Sequence, residues 1–148
     1  MNDAHGIAAA LGVSTSGRCK RRKIGAAVCD ASGRILGIGM NGTPDCMADC
    51  HEKPCPAADL PAGQGNAATA CYGVHAEVRA LLAAGNPRDA HTLYATKAPC
   101  TNCTLMMLQT GVRRIVFMTS SNETTNRDMW QGAGREWVHF DGTAREAA

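Results

Sequence analysis

Short apolar runs alternate with stretches of helical spacing along this chain. Residues 3–15 are alanine-rich and predict a first helix, with Asn2 or Asp3 as N-cap and Gly12 weakening its end. Ile24 to Asp30 and Arg34 to Met40 are two apolar runs, separated by Ala31-Ser32-Gly33, which is turn chemistry. They read as two strands joined by a tight turn. His75 to Ala84 then takes on a helical period through Val78, Leu81 and Leu82, and Gly85-Asn86-Pro87 stops it. Thr92 to Thr96 predicts a third strand. Residues 100–110 predict another helix, with Leu105, Met106 and Leu108 among its apolar positions and Gly111 at its end. Arg114 to Met118 predicts a fourth strand, 123–132 a more polar helix and 136–140 a fifth strand. Strands alternating with helices give an α/β layered domain with helices covering a sheet.

Residues 41–73 break this rhythm. They hold four prolines, four glycines and four cysteines, with neither a helical nor a strand period. An irregular stretch of that length is uncommon in a compact domain unless it is functional, disordered or clamped. Its cysteines predict a clamp.

Composition narrows the classes. The 148 residues suit one domain, expected to span 1–148. Aromatics make up only 4%, so the core falls to Ala, Val, Ile, Leu and Met. So few rings argue against a single-strand binder that stacks bases, and a net charge of +2 gives no broad nucleic-acid footprint. The basic run Arg18-Cys19-Lys20-Arg21-Arg22-Lys23 is either a solvated turn or a local anion contact. Met1 to Val13 lacks the basic start of a signal peptide, and no apolar run reaches membrane-spanning length. A cytoplasmic protein with no membrane partner is expected, and its eight cysteines then suggest metal or catalytic thiols rather than disulfides.

Two fragments carry the chemistry. "VHAEVRALL" sets His75 and Glu77 at the start of one predicted helix, and "APCTNC" sets Cys100 and Cys103 at the start of the next. One strand lies between them, so both helix N-termini can meet at one end of the sheet. One histidine and two thiolates supply three ligands for Zn²⁺ and leave the fourth position of a tetrahedral ion for water. Helix N-termini favour the thiolate form, and Pro99 stiffens the approach. Glu77 is the proton carrier: a carboxylate beside activated water takes its proton and returns it to the substrate. Each fragment alone is weak, but the joint pattern is the signature of zinc nucleobase deaminases.

On these residues the chain resembles the cytidine/deoxycytidylate deaminase superfamily, and within it the deoxycytidylate (dCMP) deaminases. The matching stretches are "RRKIGAAV" (21–28), "ILGIGMNGTP" (35–44), "CYGVHAEVRALL" (71–82), "TLYATKAPCTNC" (92–103) and "GVRRIVF" (111–117). The resemblance implies a three-layer α/β/α fold with a central five-stranded mixed sheet flanked by helices, in a chain that forms homo-oligomers. It implies catalytic zinc on His75, Cys100 and Cys103, Glu77 as proton shuttle, Asn41 on the sugar and the backbone of Ala76 on the pyrimidine carbonyl of a small nucleotide. It also implies a second, structural zinc on Cys19, Cys50, Cys55 and Cys71, which would clamp 41–73; Cys46 and His51 are the alternative ligands. Cys29, within a strand, is expected to be a small buried hydrophobe.

The chain departs from the dCMP pattern at Arg79, where the family usually has asparagine, and at Lys97, where it often has leucine. Arg22 and Lys23 are the first candidates for the phosphate, Arg79 and Lys97 the second. After Met118 the resemblance fades. Deamination of dCMP to dUMP is the expected activity. The alternatives are another cytosine nucleoside or nucleotide as substrate, or a non-catalytic module held together by zinc.

Overall fold

The computed structural model describes residues 2–60, 71–120 and 124–142. They form helix α1 (Asp3–Ser14), strands β1 (Gly25–Cys29) and β2 (Ile35–Met40), helix α2 (Ala76–Ala83), strand β3 (Thr92–Lys97), helix α3 (Thr101–Leu108), strand β4 (Arg114–Thr119), helix α4 (Thr125–Gly132) and strand β5 (Glu136–His139). Each expected element is present, with ends moved by a residue or two. Asn2 caps α1, its side chain accepting the Ala4 N–H at 3.0 Å. The β1–β2 turn closes as its residues predict, with Gly33 at φ 89° and the Asp30 carboxylate accepting the Ser32 and Arg34 N–H groups.

The five strands form a single sheet in the order β2-β1-β3-β4-β5. β1 runs antiparallel to both β2 and β3, while β3, β4 and β5 are mutually parallel. Every residue of β1 is buried, because alternation sends Ala26 and Val28 to one face and Ala27 and Cys29 to the other, and both faces are covered. α1 covers the face of Ala27, Cys29, Tyr94 and Val116 through Ile7 and Ala10. On the opposite face Ala80, Met107 and Trp130, from α2, α3 and α4, pack over Val28, Leu93 and Ile115. This is the expected α/β/α sandwich around a mixed sheet. Cys29 is 2% exposed, and burial pushes its thiol up to about 11, so it behaves as a small hydrophobe.

Topology places the site. Two antiparallel pairings make β2 and β3 point the same way, so Met40 and Lys97 end at the same edge of the sheet. The chain enters α3 directly after β3, which puts the N-terminus of α3 at that edge. α2 reaches it by lying against the bare backbone of β2: a Cβ on Gly39 would stand 2.5 Å from the Ala76 carbonyl oxygen. Gly42, at φ +146°, exchanges two backbone bonds with Val74, at 3.1 and 2.8 Å, and stitches the ends of the long loop beside His75. Residues 61–70 of that loop lie outside the described residues.

Candidate active site

His75 occupies the N-cap position of α2 in an extended conformation, and Cys100 the same position of α3. Neither side chain caps its helix, because both turn inward to each other. The Nδ1 atom of His75 lies 3.5 Å from Cys100 Sγ and 3.4 Å from Cys103 Sγ. Ideal tetrahedral zinc, with Zn–N of about 2.0 Å and Zn–S of about 2.3 Å, sets nitrogen and sulfur roughly 3.5 Å apart. Among the described residues, these three alone form a group of metal-ligating atoms all within 4.8 Å of one another.

The electrostatics ask for a cation. Hydrogen bonds from Cys103 and then from His75 hold Cys100 as a thiolate, with its pKa pushed down to about 4. Cys103 is driven the other way, by its bond to Cys100, by burial and by the charge of Glu77. His75 is raised chiefly by its bond to Cys100. Without metal, protons must separate these crowded anions, and a divalent ion replaces them. Glu77, in the first turn of α2, is 5% exposed, and burial raises its carboxyl above the usual carboxylate range. That favours a group able to hold a proton as well as release one.

His75, Glu77 and Cys100 line a cavity of about 290 Å³. Ala76 and Asn41 are on its wall. The Asn41 side chain is already partly committed: its Oδ1 accepts the Ile24 N–H at 2.8 Å and its Nδ2 donates to the Arg22 carbonyl at 3.1 Å. One N–H and one lone pair remain for a ligand.

The four candidate cations divide. Arg22 and Lys97 line the cavity, joined by Arg21. Lys23 does not; its Nζ donates back to the Thr15 carbonyl just past α1, at 3.3 Å. Arg79 does not either. Its guanidinium donates to the Thr43 carbonyl at 3.1 Å and pairs with Asp45, and Arg18 binds the same turn through the Thr43 and Met47 carbonyls. Lys23 and Arg79, the other two phosphate candidates, are instead bonded to the Thr15 carbonyl and to the Thr43–Asp45 turn.

The thiols of the long loop come together in part. Cys50 and Cys55 stand 3.7 Å apart, close to the roughly 3.8 Å expected of two thiolates on one tetrahedral zinc. Partial burial pushes the Cys55 thiol up, but bonds from the Tyr72 and Ala57 backbone and from Cys50 and Cys71 outweigh it, and the net shift is down. Cys19, Cys50, Cys55 and Cys71 do not form a closed cage, since no three of their sulfurs lie within 4.8 Å of one another. Cys19 and Cys71 also reach the wall of the main cavity. The alternative ligand His51 is paired with Asp49 at 2.7 Å, and Cys46 is exposed.

Sequence reasoning missed Asn126. It lies on α4, is 1% exposed and lines the same cavity. Its only signal is a polar residue four positions before the buried Trp130, on the same helix face.

Comparison with known proteins agrees with this geometry. Residues 2–119 match the profile of the family described as "Cytidine and deoxycytidylate deaminase zinc-binding region". A deoxycytidylate deaminase of Mycobacterium phage D29 is 34% identical over 119 residues, which cover 75% of this chain and 92% of that one. The deoxycytidylate deaminase of Schizosaccharomyces pombe is 32% identical over 78% of this chain, but the match spans only 37% of its length. The match to the Saccharomyces cerevisiae enzyme likewise spans 35% of that protein. Among solved structures, the dCMP deaminase of cyanophage S-TIM5 superposes with a TM-score of 0.70 at 26% identity, covering 93% of this chain and 96% of that one. The same enzyme has been solved in complex with dCMP and dUMP. The chain belongs to the cytidine and deoxycytidylate deaminase family.

Proposed function

We propose that the chain is a zinc-dependent hydrolase that converts dCMP to dUMP with release of ammonia, acting as a single deaminase domain. The observation that carries this reading is the His75–Cys100–Cys103 triad at tetrahedral spacing, with buried Glu77 on the wall of the same cavity. Zinc held there by His75, Cys100 and Cys103 would supply Lewis-acid activation of a water molecule. Glu77 would take a proton from that water as its oxygen bonds to the amino-bearing ring carbon and deliver it to the adjacent ring nitrogen; the second proton of the water would pass through Glu77 to the amino group, the C–N bond would break to release ammonia, and the oxygen would remain as the carbonyl. Ala76 offers backbone to the base carbonyl, Asn41 its remaining N–H to the sugar, and Arg22 and Lys97 face the phosphate. The names of the relatives, and the dCMP and dUMP seen with the cyanophage enzyme, support a pyrimidine nucleotide as substrate.

The test is ammonia release over a panel of dCMP, dCTP, deoxycytidine and cytidine. dCMP should show the highest kcat/KM, and a preference for a free nucleoside refutes the monophosphate reading. The proposal also includes a second zinc on Cys50, Cys55 and Cys71, with Cys19 closing the cage as the ion binds, since metal sites of this kind order with their ligands. Metal analysis should then give two zinc ions per chain, and Cys55→Ser should give one. Homo-oligomeric assembly and a cytoplasmic location belong to the same proposal. No helix among the described residues is long and apolar enough to cross a membrane.

A further inference from the structure

The first turn of α3 has an unusual problem. Cys100 holds the N-cap position, where a side chain normally accepts a backbone N–H of the first turn, but its sulfur is aimed at His75 and makes no cap bond. The turn that presents two of the three metal-ligating groups thus lacks a side-chain N-cap. A brace comes from another element. Asn126 Nδ2 donates to the Pro99 carbonyl at 3.2 Å, and Asn126 Oδ1 accepts the Thr101 hydroxyl at 2.9 Å. One carboxamide therefore grips the residues on both sides of Cys100. The amide orientation follows from chemistry: the Pro99 carbonyl only accepts, so the nitrogen must face it. No apolar side chain makes either bond, and an ionised carboxylate makes only one of them.

We infer that Asn126 is a positioning residue for the metal ligand Cys100, fixing the peptide from which its thiolate projects. The inference rests on the reading of His75, Cys100 and Cys103 as a zinc site. Groups that hold metal ligands in place typically contribute ten- to a hundredfold in metal affinity. Burial supports the assignment: Asn126 is 1% exposed, and a buried amide is held by protein partners.

Zinc affinity of the full-length chain, measured by competition with a chromophoric chelator, tests this without using activity. Absorption of the cobalt-substituted chain reports the ligand geometry. Asn126→Leu, with the same branching of heavy atoms but unable to bond, should weaken zinc by about ten- to a hundredfold and shift the cobalt bands. Thr101→Val should weaken it in the same direction, Thr101→Ser should bind as wild type does, and Thr101→Val added to Asn126→Leu should cost little more. Trp130→Phe is the control for general loosening of α4. It removes the indole bond to the Glu136 carbonyl but touches neither Pro99 nor Thr101, so it should lower Tm and leave zinc affinity unchanged. Equal zinc loss in Trp130→Phe, or wild-type affinity in both Asn126→Leu and Thr101→Val, overturns the assignment. If Asn126→Leu does not fold, the exposed Thr101 pair of variants decides alone. A wild-type chain that takes up no zinc at this site fails earlier, and removes the zinc reading together with the inference.

Discussion

At the scale of single residues, position in the cavity separates side chains that the sequence treats alike. His75 and Glu77 are two residues apart, yet only His75 points its nitrogen between two sulfurs, while Glu77 is buried with its carboxyl raised. Removing Glu77's proton chemistry should therefore spare the metal. Glu77→Gln keeps the size and should lose about a hundredfold or more in kcat. Zinc content by atomic absorption should stay at the wild-type value, and a variant with most of its turnover intact rejects the assigned role. The basic residues divide in the same way. Arg22 and Lys97 line the cavity, whereas Lys23 bonds the Thr15 carbonyl. Arg22→Ala and Lys97→Ala should each raise KM for dCMP by about tenfold, the scale of one charge-assisted hydrogen bond, and leave the slow reaction with deoxycytidine nearly unchanged. Lys23→Ala should leave both KM values near wild type. Neighbours in the chain carry the same charge here, and sequence alone does not tell which of two adjacent cations faces inward.

At the scale of elements, the site depends on how closely α2 lies on β2, and glycines control that distance. A Cβ on Gly39 meets the Ala76 carbonyl and the Ala80 nitrogen at 2.5 Å, both of them backbone atoms that cannot turn aside. Gly39→Ala should push α2 outward and carry His75 and Glu77 with it. A loss of about 1–3 kcal/mol in unfolding free energy is expected, together with weaker zinc binding. Gly12 is the contrast. It lies inside α1 with nothing within 4 Å of a new Cβ, so Gly12→Ala should stabilise by about 0.5–1 kcal/mol. Urea unfolding of both variants checks the opposite signs, and equal effects would show that α2 does not rest on Gly39 as described. The elements themselves were legible because their signals are local: the apolar run of β1, helical spacing in α2 and Gly33 in the turn. The grouping of His75, Cys100 and Cys103 was legible for a related reason, since all three sit at helix starts that the sequence marks. Asn126 was not, because its partners Pro99 and Thr101 lie a strand and a helix away, and nothing near residue 126 announces them. The thiols of the long loop are legible only in part: Cys50 and Cys55 approach within 3.7 Å, and how closely Cys19 and Cys71 join them depends on the path of the chain between them.

At the scale of the whole molecule, one ion pair joins the ends of the sandwich. The Arg114 guanidinium, on β4, donates to both carboxylate oxygens of Asp3 at the start of α1, and also to Glu136 on β5 at 3.1 Å. Tyr94 adds its hydroxyl to Asp3 at 3.0 Å. A single carboxylate thereby fixes the lone helix on its face to the centre of the sheet, across 111 residues of sequence. The hydrogen bonds of Arg114, outweighing partial burial, hold the Asp3 carboxyl below the usual carboxylate range. A group whose pKa is lower folded than unfolded contributes stability that is fully present above its unfolded pKa and lost as pH falls through the folded value. Asp3→Asn should therefore cost about 1–3 kcal/mol at neutral pH, the scale of a hydrogen-bonded charge. The gap between wild type and variant should hold steady down to about pH 4 and close below it. Acid also strips metal from histidine and thiolate ligands, but this loss is common to both proteins and cancels in the difference. Urea unfolding of the pair at pH 7, 5 and 3 decides. A gap that persists unchanged at pH 3 would show that Asp3 acts through its shape and not its charge, and a gap absent at pH 7 would show that α1 is held by Ile7 and Ala10 alone.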